Sequence, residues 1–498
     1  MGKRIKIYAL IHFALVFVLS VNTWAENAPS SCEDAFSMET EVQSLQEQRR
    51  LQEEEVVQVR SRFWQASDRP SGLNKATLER DLPNTSQLLQ TWNERFANHV
   101  RYAKTLSHIG LVARTLKEHM LLLGGWGGGK TRFADAFIGS EGFRLLMTPM
   151  TEVDQILGAR DFEAAKRGRH IVRVQDSMLS HRVALLDEVG NANSSTLGAL
   201  HNALGVEREL RIGSTTFPVN TETVFATSND FLSELMTRFR LEGNEKAGLA
   251  FANRILFKTY FLNWIPEEEQ AALDMLREAQ DSGTVLSSKG SELPTLNFIE
   301  LKTLAEGLIR ISPEYRSTER EFLKRFRKGI QELRTQQETS GRSTHPYIPT
   351  ADLTERLRGM LAPMVRLSAF LDLLNTPKAL SKLQPGQMLT LEPLSLWRLH
   401  LALTTNTSGT TSLNKNVSNP IGYEVTFADL PDPNNGFEEL AFYSIESERA
   451  IFNTALRETL FSIQSAVSQR AQMVSRIPIL PSAKPGLTGI EQLLLDNR

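Results

Sequence analysis

The sequence predicts an α/β protein built on a parallel sheet, with a helical lid, a helical N-terminal segment and a mixed α/β or helical C-terminal region. Three observations predict it. Met120–Leu123 is an apolar run that leads into glycines, Lys130-Thr131 and a helical pattern; Val183–Leu186 ends in Asp187-Glu188; Val224–Thr227 ends in Ser228-Asn229. Short apolar runs suit strands buried on both faces. Polar residues at their C-terminal ends lie where open α/β sheets bind ligands.

The bounds are set by composition. A chain of 498 residues has room for several domains and sizeable cores. Its 56 basic and 58 acidic residues leave a net charge of -2, so no global positive field exists to hold nucleic acid, and none is expected as a partner. One cysteine, Cys32, excludes an intramolecular disulfide and any multi-cysteine metal site.

The elements follow in chain order. "MGKRIKIYALIHFALVFVLSVNTWAEN" sets Lys3, Arg4 and Lys6 before an apolar core and offers Thr23-Trp24-Ala25 for cleavage. This predicts a signal peptide over 1–25 and export from the cytoplasm. An uncleaved anchor, associating the N-terminus with a membrane, is the alternative, and a true start further along would leave the protein cytoplasmic. Within 26–84, Met38, Val42, Leu45, Val56, Val59 and Phe63 follow a four-three spacing that Arg49 and Gln52 interrupt. Such a helix is either a coiled coil with a polar gap or a solvated helix packed on its own domain through one stripe. "ASDRPSGLNKATLERDLPNTS" is a connector, with a boundary at residue 84.

A nucleotide-binding core is expected over 85–265. Gly124, Gly129, Lys130 and Thr131 satisfy GxxxxGK[ST], with Gly125, Gly127 and Gly128 completing the loop. The strand before it and the helix after it distinguish it from a glycine hinge. Its N–H groups converge on phosphate at a helix N-terminus, Lys130 neutralises the β and γ phosphates, and Thr131 ligates magnesium. These roles call for ATP and Mg2+. Asp187 then holds the magnesium through its water shell and Glu188 acts as general base. An acidic pair of this kind can also be a helix cap; its position beyond the intervening strand candidate "FRLLMTP" favours the site. Asn229 can orient the attacking water, and Arg254 opens a further strand-like run.

In this order, "GGWGGGKT", "VALLDEVGNANSSTLGALHNALGVERELRIG", "VFATSND" and "ANRILFKTYF" resemble the AAA+ ATPases of the MoxR type, more closely the branch that includes RavA, over roughly Leu106–Leu374. The resemblance implies Walker A roles for Lys130 and Thr131, Walker B roles for Asp187 and Glu188, and a first sensor at Asn229. It also implies that Arg254 acts on a neighbouring subunit's phosphate. "MTEVDQILGARDFEAAKRGRHIVRVQDSML" resembles the insertion after the second strand, and "ELRIGSTTFPVNTETVFATSN" the hairpin before the sensor strand. A lid is expected over 266–376, in which "TERLRGMLAPMVRLSAFL" resembles the lid helix; this selects Arg356 as second sensor, with Arg358 as fallback. Pro363 should kink or divide that helix. Asn253 and Trp126 depart from the pattern without removing a reacting group, and Arg238 and Arg240 lie close enough to displace the finger assignment.

Residues 377–498 form the expected C-terminal region, with an exposed loop at "TTNTSGTTSLNKNVSN" and a helical period over 445–474 that either packs on the lid or binds a partner. The resemblance implies a homo-oligomeric ring, hexameric for choice, that remodels or matures a protein partner. The alternative is an exported, noncatalytic scaffold that keeps the fold and binds partners through its helical termini.

Overall fold

The computed structural model describes residues 32–63, 73–97, 103–125, 128–160, 172–173, 177–205, 208–212, 215–230, 235, 239, 241, 248, 250–251, 254–261, 293–340, 351–399, 455–456, 458–459, 462 and 487–495. The expected signal peptide, the first part of the expected connector (66–72), the polar loop and nearly all of the 445–474 helical period lie outside these residues. The rest of the expected connector is largely helical: a π-helical turn, Thr77–Asp81, runs into the helix Leu82–Ala97, so the boundary expected at residue 84 falls inside a helix. No helix among the described residues is long and apolar enough to cross a membrane.

Among the described residues, the α-helices α1 (Cys32–Phe63), α2 (Leu82–Ala97) and α3 (Ala103–Leu116) precede the sheet. The core follows as β1 (Met120–Leu123), α4 (Lys130–Ile138), β2 (Phe143–Leu146), α5 (Val153–Leu157), β3 (Ala159–Arg160), β4 (Val172–Arg173), β5 (Val183–Asp187) and α6 (Ser194–Ala203). It closes with β6 (Glu209–Ile212), β7 (Thr215–Pro218), β8 (Thr223–Ser228) and β9 (Phe257–Tyr260). The sheet order is β2-β5-β8-β1-β9, with every pairing parallel. In this register Leu123 stands beside Ser228 and Leu146 beside Asp187, so the C-terminal ends of β1, β5 and β8 share one edge.

Strand side chains alternate between two apolar layers, which is why the runs are continuously hydrophobic. Met120, Leu122, Leu185 and Phe225 face a cluster with α2, α3, α4 and the lid. Leu121, Leu123, Leu186 and Ala226 face a second cluster with α6. The first is rich in rings: Trp92 stacks on Phe96 with centroids 4.7 Å apart, and Phe133 meets Phe137, Phe225 and Phe261 within 6.1 Å. That packing anchors α4, and with it the loop at its start.

The N-terminal helix packs on the chain's own core. Leu45 and Val59 are buried against the chain's own core. Arg49, which interrupts the apolar seam, donates to the carbonyls of Arg208 at 3.0 Å and Val219 at 3.2 Å. The polar gap is therefore a backbone-binding contact. Asn220 donates back to the Leu45 carbonyl at 3.1 Å, and Arg60 pairs with Glu306 of the lid at 3.6 Å.

At the N-terminal edge of the sheet lies a buried charge cluster. Glu222, 2% exposed, receives Lys117 at 2.6 Å, Arg114 at 3.0 Å and Arg182 at 3.1 Å, and Arg182 also holds Glu55 of α1 at 2.9 Å. Burial pushes the Glu222 carboxyl up, but the three cations overcome it and hold it at about 2.

The region expected as the lid, together with the described residues beyond it, comprises α7 (Phe298–Leu308), β10 (Ile309–Ile311), α8 (Pro313–Ser340), α9 (Ala351–Leu374), α10 (Pro377–Leu380), β11 (Met388–Leu391), β12 (Leu487–Gly489) and α11 (Ile490–Leu495). Strands β10, β11 and β12 make a small parallel sheet. Sheet partners thus lie on both sides of the boundary expected at 376, and the described C-terminal residues pack on the lid. Arg325 of α8 meets Glu458 at 3.3 Å and Ser462 at 3.0 Å. Pro363 does not divide α9, which runs unbroken through it.

Candidate active site

The loop after β1 owes its shape to two glycines. Gly124 has φ 124°, and a Cβ there would meet the Phe261 carbonyl oxygen at 2.1 Å, so both handedness and space demand glycine. Gly129, at φ 87°, is the left-handed residue from which α4 starts, and its carbonyl accepts from the Phe133 N–H at 2.9 Å. Lys130 is the first residue of α4 and only 6% exposed. Its ammonium donates to the carbonyls of Gly124 at 2.6 Å and Gly125 at 2.8 Å and to Asn229 Oδ1 at 3.0 Å. Burial pulls this ammonium below the usual lysine range, while Asp187 and Glu188 work in the opposite direction. Gly128 lies close to Phe261. Gly127 and Trp126 are outside the described residues.

The carboxylates arrive from β5. Thr131 Oγ1 donates to Asp187 at 3.2 and 3.3 Å, so a hydroxyl from α4 and a carboxylate from β5 stand side by side. Two hard oxygen donors of this kind fit a magnesium ion. Glu188 adopts φ 58° and ψ 46°, a left-handed conformation that costs a non-glycine residue about 1–2 kcal/mol. Its surroundings hold it there. The Thr227 hydroxyl accepts the Glu188 N–H at 2.8 Å and donates to Asp187. Asn191 N–H donates to the Glu188 carbonyl at 2.9 Å. Two side-chain amides grip the carboxylate: Asn191 Nδ2 on Oε2 at 2.7 Å and Asn229 Nδ2 on Oε1 at 3.1 Å. Asn229 therefore bridges Lys130 and Glu188, receiving from the first and donating to the second.

Lys130, Thr131, Asp187, Glu188 and Asn229 thus converge on one end of the sheet, as the sequence predicts. Thr227 and Asn191 are further members that the sequence reading missed. Thr227 passes for an ordinary strand threonine, and only its place at the polar end of β8 could have marked it. Asn191 follows Glu188 by one tight turn, in "DEVGNA". Arg254 is placed elsewhere: its Nε and Nη2 donate to His201 Nε2 at 3.2 and 3.1 Å. Arg356 lies in the first turns of α9, but its side chain is outside the described residues, and Arg358 is exposed on the same helix.

A glycine loop between a buried strand and a helix, with a lysine at the helix start and a paired carboxylate on the adjacent-but-one strand, defines a P-loop nucleotide-binding domain. The family comparison is more specific: residues 85–260 match the model described as the MoxR domain in the MoxR-vWA-beta-propeller ternary systems. Over this segment the chain is similar to the MoxR domains of the AAA+ type. No curated protein matches the chain. Among solved structures, a protein of Cytophaga hutchinsonii named as a candidate ATPase is similar at 17% identity and a TM-score of 0.41, covering 58% of this chain and 82% of its own. The assignment rests on the family match and the loop geometry, not on that likeness.

Proposed function

We propose that the chain hydrolyses MgATP at interfaces between subunits of a homo-oligomeric ring, hexameric by family resemblance, and uses the cycle to remodel or mature a protein partner. The observation that carries the reading is the convergence of Lys130, Thr131, Asp187, Glu188 and Asn229 through bonds of 2.6 to 3.3 Å at one sheet edge. On binding, Lys130 exchanges its loop carbonyls for the β and γ phosphate oxygens. Thr131 and Asp187 are the residues that would hold magnesium, which when bound neutralises charge across those oxygens. Glu188 takes the proton of the attacking water as general base, and Asn229 orients that water while tying it to Lys130. Arg254 of one subunit reaches the nucleotide of the next and stabilises the transferred charge, and Arg356 of the lid acts as second sensor.

The partners we infer are proteins bearing vWA and β-propeller domains, since the matching family model is described from systems that combine them with a MoxR domain. Export is the reading of the basic-then-apolar N-terminus. The test is steady-state phosphate release across a dilution series. A shared site predicts that the rate per subunit climbs with protein concentration and requires magnesium. A magnesium-dependent rate that is constant across the dissociation range contradicts subunit sharing, and the absence of turnover at every concentration contradicts the enzyme.

A further inference from the structure

The bond between Arg254 and His201 carries the next step, which rests on the shared-site reading above. Helix α6 begins at Ser194, just after the turn that carries Glu188 and Asn191, and the Asn193 side chain caps it by accepting from the Thr196 N–H at 2.8 Å. Leu197 and Leu200 are buried in the core, so the helix is fixed along its length. His201 lies in its last turn, about 10 Å further along the axis than Ser194. There its Nε2 receives both Nε–H and Nη2–H of Arg254, at 3.2 and 3.1 Å. A guanidinium only donates, so Nε2 is the acceptor in both contacts. Two donors converging on one acceptor fix the plane of the guanidinium as well as its distance.

We infer that His201 is the positioning residue for Arg254, holding the guanidinium in the orientation in which it meets the neighbouring subunit's nucleotide. The helix that starts at one subunit's general base thereby ends on the cation offered to the next site. Misplacing a reacting group by about 1 Å is enough to cost on the order of a hundredfold in rate, so loss of this hold registers in turnover and not in nucleotide affinity.

Mixed rings of full-length variants test it. A Glu188→Gln subunit still offers Arg254, and an Arg254→Ala subunit still offers Glu188, so mixing the two inactive proteins restores phosphate release where a site is shared. Adding His201→Ala to the Glu188→Gln subunit should lower the restored rate roughly tenfold or more. Adding it to the Arg254→Ala subunit should leave that rate unchanged, because no arginine remains there to be held. His201→Gln, whose amide oxygen also accepts from a guanidinium, should bring the rate back, and binding of a methylanthraniloyl-ATP probe should be equal throughout. Equal restoration with His201→Ala in either subunit overturns the inference while leaving the shared site standing. Equal loss in both placements reduces His201 to a structural role and overturns it as well. If the parent mixture fails to restore any activity, the shared-site reading falls, and the inference with it.

Discussion

Replacing Glu222 by glutamine should destabilise the protein strongly and in a pH-dependent way, although Glu222 lies at the opposite end of β8 from the active-site cluster. Its carboxyl is held at about 2 against an ordinary 4.5. At 1.36 kcal/mol per unit, that difference corresponds to about 3 kcal/mol of folded-state stability. The group is 2% exposed, so solvent does little to screen it. The sign follows from the direction of the shift: a depressed carboxylate stabilises fully above its unfolded value of about 4.5, and the contribution fades as pH falls toward about 2. The same loss seen from the other side leaves Arg114, whose side chain is 8% exposed, without its counter-ion, and breaking a buried pair costs about 3–5 kcal/mol, in line with that figure. Urea unfolding of the full chain and the Glu222→Gln variant, followed by tryptophan fluorescence and circular dichroism, measures the gap. It should be about 3 kcal/mol at neutral pH, begin to close below 4.5 and disappear near 2. Equal stabilities at neutral pH, or a gap that does not change through the acid range, would refute the reasoning.

Further outcomes follow from the same contacts. Lys130→Met should abolish binding of a methylanthraniloyl-ATP probe, read by fluorescence; retained affinity would place the phosphates elsewhere. Thr227→Val keeps the shape of the side chain but strips Glu188 N–H and Asp187 of their shared hydroxyl. Turnover should fall about 10–100-fold, from the 1–3 kcal/mol cost of unpaired buried groups, while Thr227→Ser should stay close to the parent. Arg49→Ala removes two bonds to backbone carbonyls and should lower the stability of α1 on the core by about 1–3 kcal/mol, measurable as faster amide exchange in 40–63.

What the sequence discloses depends on how local the cause is. Strands β1, β5 and β8 are legible because burial on both faces forces continuous apolar runs, and the loop is legible because left-handed backbone at Gly129 and the contact at Gly124 require glycine. Arg49 is misleading when read along α1 alone: its partners, the carbonyls of Arg208 and Val219, are more than 150 positions away, and a polar break in a coiled-coil seam looks the same. The lid sheet is hidden for a similar reason. Its strands are three or four residues long, and β12 joins β11 across nearly a hundred intervening residues, so no periodicity announces the pairing. Within the site, residue types announce Lys130, Asp187 and Glu188. The backbone of Glu188, the hydroxyl of Thr227 and the amide of Asn191 matter through geometry that only the fold supplies. Pro363 teaches the converse: α9 tolerates a proline that local rules would place at a break.

The central claim is that Glu188 activates the water in a MoxR-type site that already binds MgATP. Phosphate release and probe binding, measured side by side on the parent chain and on Glu188→Gln, test it most directly. The account predicts that the parent turns over while the variant binds nucleotide with equal affinity and releases phosphate at least a hundredfold more slowly, in line with the roughly 10²–10⁴-fold worth of a general base. A variant that hydrolyses ATP as fast as its parent would contradict it.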